Sequence, residues 1–553
     1  MAFLNASALL VLSGFFAAAA LGATPPKLEH LYPVAGQQGT TLPVAAAGKF
    51  EPWPPQVWVD APGISFKAGA SGKFDVEIAK DAIPGPHLVR FYNESGVSAP
   101  RFFIVSSEPE LAEKEPNDSY KASQLVPALP ATFSGRLDKG GDVDSFGVSL
   151  KKGETLVAWL EAYLLGSAFD GLFRITDSNG TQLAFNHDGR TLDPFLAWEA
   201  PYDGIFVLQL MGFVYPASSD VRLAGGEGGV YRLHLTTGPY LRYTLPLAFQ
   251  SGKTTVASLV GWNLAAPSVE VDGTQFGANA ATFNLPLAGS STRFPVMVSE
   301  LPEMMENSPA GEAVQLIETP GAITGHIDSA TDEDRFQFTA GKGRVYEFRL
   351  FAASIGSPLD AWIKIEDDKG KEVARNDDSK GSRDPQLIWT APADGNYVAV
   401  IGDVSHQGGA EFVYRLAIGE AKPAVTATAA EHSLVIEAGK SGDLKVVVKR
   451  VNGSKANVKL IARNLPDGVV ASDPEIPEKG GDVALKLSVQ AEVKPVSQPF
   501  TLVLREAESG KESAVSFYMT TEGEDNGVPQ GYGELVISST DQLWLIVLSQ
   551  QNK

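Results

Sequence analysis

The stretch SGRLDKGGDVDSFGVSL (134–150) has a counterpart in TGHIDSATDEDRFQFTA (324–340), 190 residues further along the chain. That offset matches Gly135 with Gly325, Asp142 with Asp332, Asp144 with Asp334 and Phe146 with Phe336. It also carries LLGSAFDGLFRITDSNG (164–180) onto SIGSPLDAWIKIEDDKG (354–370). After a one-residue slip, DPFLAWEAPYDGIFVLQL (193–210) falls on DPQLIWTAPADGNYVAVI (384–401). Each unit closes on Tyr-Arg-Leu, at Tyr231 and at Tyr414. Agreement at so many positions identifies an internal duplication.

Within each unit the hydrophobic period is two. LFRITDSNGTQLAF (172–185) alternates apolar residues on both sides of Ser-Asn-Gly, a hairpin signal. DSFGVSL (144–150) and DRFQFTA (334–340) alternate behind an opening aspartate, and a Pro-X-Asp-Gly turn precedes IFVLQL and NYVAVI. Short strands with frequent turns, and no stretch of helical period, predict an all-β chain of tandem β-sandwiches. The flanks repeat more faintly: LYPVAGQQGTTLPVAAAGKF (31–50) and TLPLAFQSGKTTVASLVGWNL (244–264) share a Pro, then Gly, then a strand ending in Gly.

The expected order is therefore a leader at 1–23, an immunoglobulin-like sandwich at 24–107, the first repeat unit at 108–237 and a short immunoglobulin-like segment at 238–299. The second unit at 300–420, an immunoglobulin-like sandwich at 421–522, and a linker with a terminal strand at 523–553 complete it.

ASALLVLSGFFAAAALGA (6–23) is apolar and ends in small residues before Thr24-Pro25-Pro26, which reads as a cleaved signal peptide. A membrane anchor is the rival reading of that length, and LWLIVL (543–548) is far too short to span a bilayer. With no cysteine, disulfides, thiolate metal sites and a cysteine nucleophile are excluded, so stability must come from cores or ions. A net charge of −21 argues against a nucleic-acid partner and for a soluble, exported protein, periplasmic, cell-surface or secreted, with no membrane insertion after cleavage.

EKEPNDSY (113–120) opens the first unit with Glu113, Glu115, Asn117 and Asp118 around Pro116. Calcium takes six to eight oxygen ligands in irregular geometry, and Asp142 and Asp144 could add carboxylates from the start of the next strand. Equally, Asp118 could cap the following turn, and Glu-Lys-Glu-Pro could be a solvated hinge. At the 190-residue offset Glu113 becomes Glu303 and Asn117 stays Asn307, but Glu115 becomes Met305 and Asp118 becomes Ser308. A thioether is a poor ligand for a hard cation, so calcium is expected in the first unit only. Asp144 and Asp334, common to both, then read as parts of the fold.

No Gly-X-Ser-X-Gly elbow or His-Glu-X-X-His helix occurs, and the seven histidines are scattered singly, so no enzyme is expected. The acidic loops FNHDGRTLD (185–193) and RNDDSKGSRD (375–384) read as turns rather than ligand sites. Trp53 and Trp58 in EPWPPQVWVD (51–60) read as core packing before they read as a binding platform, and Trp198 and Trp389 as core.

Glu113-Lys-Glu-Pro-Asn-Asp118, Gly141-Asp-Val-Asp-Ser-Phe146, Asp177-Ser-Asn-Gly180 and Ala200-Pro-Tyr-Asp-Gly204 together resemble the bacterial pre-peptidase C-terminal domain, over about 240 of the 553 residues. Collagen-binding domains of secreted clostridial collagenases are similar to that family, and the alternation with immunoglobulin-like segments is similar to exported proteins of planctomycete-type bacteria. The resemblance implies a non-catalytic jelly-roll-like sandwich. It also implies calcium held by the residues matching Glu113, Glu115, Asn117, Asp118 and Asp142 or Asp144. The function it implies is binding, adhesion or scaffolding toward an extracellular polymer or an envelope protein, or an accessory role beside a secreted hydrolase. A hydrolase with loop-borne residues stays open.

Overall fold

The computed structural model describes residues 24–550, apart from 188, 190–192, 215–221, 278–279, 291–292, 308–313, 380–381 and 521–535. The segment read as a signal peptide, Ser308 and most of the 523–553 linker therefore lie outside the described residues. The described chain is all β, with two short 3-10 turns as its only helical elements.

The duplication is reproduced strand for strand. In the first unit one sheet runs Glu110–Ala112, Ala131–Arg136, Val230–Thr236, Thr155–Glu161, Phe195–Glu199. The facing sheet runs Gln124–Leu125, Asp144–Leu150, Gly204–Val214, Phe169–Thr176, Gln182–Asn186. In the second unit the corresponding sheets run Glu303–Met305, Gly321–His326, Val413–Glu420, Val345–Phe351, Gln386–Thr390 and Gln315–Leu316, Asp334–Ala340, Gly395–Asp403, Ala361–Glu366, Glu372–Asn376. Phe133, Phe146 and Phe173 fill the first core and Phe336, Phe338 and Phe348 the second, all essentially inaccessible. The hairpin signals work as expected: Asp177 accepts from the backbone N–H of Asn179 and Thr181 at 2.9 and 2.8 Å, and Gly180 takes φ +85°. Asp367 and Gly370 repeat the turn in the second unit.

The two flanking segments are sandwiches of one pattern and different size. The first pairs a four-stranded with a five-stranded sheet, the third two three-stranded ones. Both hold a short parallel pair, Ala35 opposite Ile104 and Ala248 opposite Met297.

The last sandwich reaches past residue 522. Leu543–Leu548, expected as a strand beyond a linker, lies between Ser433–Glu437 and Val496–Glu506, parallel to the first and antiparallel to the second. Its unbroken apolar run has a physical reason, because both faces are covered. Leu543, Leu545 and Val547 enter the core of the last sandwich, whereas Trp544 and Ile546 point the other way, against Val97, Trp58 and Tyr92 of the first.

The chain thus closes on itself. The Trp58 and Trp544 rings meet edge-on at 5.6 Å. Arg90, wholly buried, places Nη1 3.1 Å from His432 Nδ1 and donates through Nη2 to the carbonyl of Gln542 at 2.9 Å. A second apolar cluster joins Leu88 and Phe102 of the first sandwich, Leu165 and Val230 of the first repeat unit, and Met519 of the last sandwich.

Candidate cation site

The segment 113–118 leaves the edge strand Glu110–Ala112 and crosses to the start of Asp144–Leu150 in the facing sheet. The Glu113 N–H donates to the carbonyl of Ser134 at 3.1 Å, which anchors the exit from the strand. The Asn117 side chain then holds the turn: its Nδ2 donates to Glu113 Oε1 at 3.0 Å, and its own backbone N–H donates to Glu115 Oε2 at 2.9 Å.

Five of the six expected residues bring their carboxylates together, and the side chain of the sixth, Asn117, reaches them only through its Nδ2 on Glu113. Carboxylate oxygens of Glu113, Glu115 and Asp144 lie within 4.8 Å of one another, and so do those of Glu115, Asp118 and Asp142. Two oxygens bound to one calcium at about 2.3–2.6 Å can be separated by no more than about twice that, so both groups are within reach of a single ion radius. Asn117, Asp142 and Asp144 are inaccessible to solvent, and the Oδ1 atoms of Asn117 and Asp144 are buried without a hydrogen-bond partner. Unpartnered buried oxygens are costly unless a cation or proton faces them. The oxygen-only donor set fits a hard divalent cation.

Electrostatics carry the same signature. Burial, then the Glu113, Asp142 and Glu115 carboxylates, push Asp144 up to about 9, with its hydrogen bond from Tyr231 opposing. Burial, then Glu115, Asp138 and Asp142, push Glu113 up to about 7. Burial also raises Asp142, while the hydrogen bond from Lys139 lowers Asp118.

Three participants escape the sequence reading. Tyr231 is wholly buried and donates its hydroxyl to Asp144 Oδ2. Gly135 stands directly opposite Tyr231, and a Cβ there would sit 2.2 Å from the phenol oxygen. The pairing of Gly135 with Gly325, and of Tyr231 with Tyr414, was the available signal. Lys139 is the third: its Nζ lies 3.0 Å from Asp118 Oδ1, 3.4 Å from Asp142 Oδ1 and 3.9 Å from Glu115 Oε1.

In the second unit the register differs from the one expected. Glu303, not Glu306, aligns with Glu113 at an offset of 190. Strand pairing instead sets Glu110 opposite Thr132 and Glu303 opposite Ala322, so Glu303 is the counterpart of Glu110. Both are spent in buried ion pairs, Glu110 with Arg232 and Glu303 with Arg415. The counterpart of Glu113 is Glu306, whose N–H donates to the carbonyl of Thr324 at 2.8 Å. Glu-Leu-Ala-Glu (110–113) and Glu-Met-Met-Glu (303–306) carry that register in the sequence. Asn307 correspondingly matches Lys114, each donating its N–H to a glutamine, Gln315 or Gln124, at 2.8 Å. What the copies share is thus Glu113–Asp144–Tyr231 and Glu306–Asp334–Tyr414, with the Tyr414 hydroxyl donating to Asp334 at 2.6 Å. Burial and Glu306 push Asp334 up to about 9.

The remaining candidates sort into the fold. Asp193, from the first acidic loop, accepts from the N–H groups of Ala162 and Tyr163, and Asp384 does the same for Ala352, Ala353 and Ser354. Trp53 packs on Phe50 and Phe74. Trp389 is core, and Trp198 packs against the core of the first unit. Among the histidines, His234 stands in a row: Thr132 Oγ1 is 3.0 Å from its Nδ1 and Glu161 Oε2 is 3.3 Å from its Nε2. Thr132 and His234 are directly paired across neighbouring strands, a position that holds Ala322 and Ala417 in the second unit. His234 also stacks on Trp159 at 4.5 Å, beside a hollow of about 270 Å³ shared with Tyr240 and Pro239 of the next sandwich.

No family model matches this chain. No curated protein matches it either. Among solved structures it is similar to domains 1–6 of the surface layer protein SbsC, at 10% identity and a TM-score of 0.16, with 96% of this chain and 55% of that one covered. It is similar to the N-terminal eight Ig domains of the Down Syndrome Cell Adhesion Molecule, at 9% identity and a TM-score of 0.13, with 95% and 86% covered. The S-layer protein rSbsC(31-844) aligns at 10% identity and a TM-score of 0.14, with 90% and 56% covered. The chain spans about half the length of the two S-layer structures.

Proposed function

We propose that this chain is an exported, non-catalytic binding or scaffold protein of the bacterial cell envelope, whose first repeat unit holds calcium where it joins the sandwich before it. The observation that carries the cation is the convergence of Glu113, Glu115, Asp118, Asp142 and Asp144 beside the buried, unpartnered Oδ1 atoms of Asn117 and Asp144. The resemblance of both units to the pre-peptidase C-terminal domain supports the reading, and so does the contact of the last sandwich with the first, which makes one body of several modules. Its partner is an extracellular polymer or an envelope protein.

Thermal unfolding of the full chain in calcium and then in chelator tests the cation. Calcium at 100 times Kd should add about 2.7 kcal/mol. An unchanged midpoint at millimolar calcium would remove calcium from the account.

A second reading is an accessory module that grips an extracellular polymer beside a separate hydrolase. The hollow walled by Trp159, His234 and Tyr240 favours it. Retardation of the wild type in gels containing soluble polysaccharide, lost in W159A, would support it; equal mobility of the two would not.

A further inference from the structure

The acidic site already contains a cation of its own. Lys139 Nζ lies among the outer carboxylates, 3.0 Å from Asp118, 3.4 Å from Asp142 and 3.9 Å from Glu115. The inner group, Glu113, Glu115 and Asp144, has no basic side chain within ion-pair distance among the described residues apart from that single long contact to Glu115. The lysine side chain is 59% exposed, so its stem is free to swing into water. Ammonium and calcium both claim the same oxygens, and calcium would need them at about 2.3–2.6 Å. Two cations cannot share that half of the site.

The second copy supplies an internal control. The turn that presents Lys139 is retained there: the Asp142 N–H donates to the carbonyl of Lys139 at 3.0 Å, and the Asp332 N–H donates to that of Ser329 at 3.1 Å. Asp332 likewise accepts from the N–H of Asp328 as Asp142 does from Asp138. The backbone therefore does not require a lysine. It stands at this turn only in the copy that carries Glu115 and Asp118 beside Asp142, and serine replaces it in the other.

We propose that Lys139 is a tethered counter-cation, which neutralises Glu115, Asp118 and Asp142 when calcium is scarce and is displaced when calcium fills the outer half of the site. The inference rests on the calcium reading above and adds to it a regulator of affinity. Lys139 keeps the junction assembled without metal, and it sets the calcium concentration at which the metal form takes over. Displacement of an ion pair by an ion raises the apparent Kd by the stability of the pair.

The test is calorimetric titration of calcium chloride into the full-length wild type, K139A and K139M, with thermal unfolding of each in chelator. The proposal expects both variants to bind calcium at least tenfold more tightly and to melt earlier than wild type in chelator. Equal calcium affinity in wild type and variants, or weaker affinity in the variants, would overturn the lysine proposal and leave the calcium reading standing. Absence of calcium binding in all three proteins would overturn both. K139M keeps the aliphatic stem, so a loss seen in K139A alone would be packing and would count against the proposal.

Discussion

Tyr231 donates its hydroxyl to Asp144 across the interior of the first sandwich, and neither side chain reaches solvent. The same bond joins Tyr414 to Asp334 in the second. It is the part of the site common to both copies, so it belongs to the fold. Removing the hydroxyl strands a buried carboxyl, which costs about 1–3 kcal/mol. Y231F and Y414F should each lose that much in urea denaturation, and G135A, whose Cβ would strike the phenol, at least as much. A stability unchanged in both phenylalanine variants would contradict the role given to the pair.

Stability without calcium should fall as pH rises. Asp144 and Asp334 are held up to about 9, and Glu113 and Asp193 up to about 7, against about 4 in an unfolded chain. The folded state therefore binds more protons than the unfolded state between about pH 4 and pH 9. By linkage their contribution is fully present below about pH 4 and is lost as pH rises through the folded values. Melting in chelator should decline steadily from pH 5 to pH 9. Calcium should abolish the share from Glu113 and Asp144, and D334N the share from the second copy. A chelator midpoint that rises with pH over this window would be the contrary result.

The duplication and the sandwich class were legible because strand alternation, turn residues and repeated aspartates are local signals, whereas the convergence of 113–118 with Asp142 and Asp144 was not, because it depends on how two separate segments pack. Nor was the register of the second copy. A constant offset carried Glu113 onto Glu303, whereas the edge strands pair three residues out of step with it and deliver Glu306. Insertions between an edge strand and its neighbour leave no mark on hydrophobic period. Lys139 was passed over because a lysine beside aspartates reads as solvated surface. The place of LWLIVL inside the last sandwich depends on pairing with Ser433–Glu437, more than 100 positions away, and its second buried face on residues 58, 92 and 97, more than 400 away.

The closure of first on last sandwich makes its own forecast. Trp544 is 1% exposed and packs on Trp58, Tyr92 and the Arg90 guanidinium. W544A should cost about 3–5 kcal/mol and free the last sandwich, so that limited proteolysis separates it from the rest of the chain faster than in wild type. Equal digestion rates would show that the contact does not hold the modules together.

Glu303 serves as a further control on the register. It is paired with Arg415, and both side chains are 5% exposed. E303Q should destabilise by about 3–5 kcal/mol, the range for breaking a buried pair, and should leave calcium affinity as it is. A change in calcium affinity with intact stability would contradict the structural role given to Glu303.

The central claim is that the cation belongs to the first copy and is held by its outer and inner carboxylates together. The most direct measurement is a calcium titration by calorimetry of the wild type, E115Q and E306Q. The account predicts saturable heat in wild type and E306Q, with at least a tenfold loss of affinity in E115Q. Undiminished binding in E115Q, or a loss confined to E306Q, would contradict it.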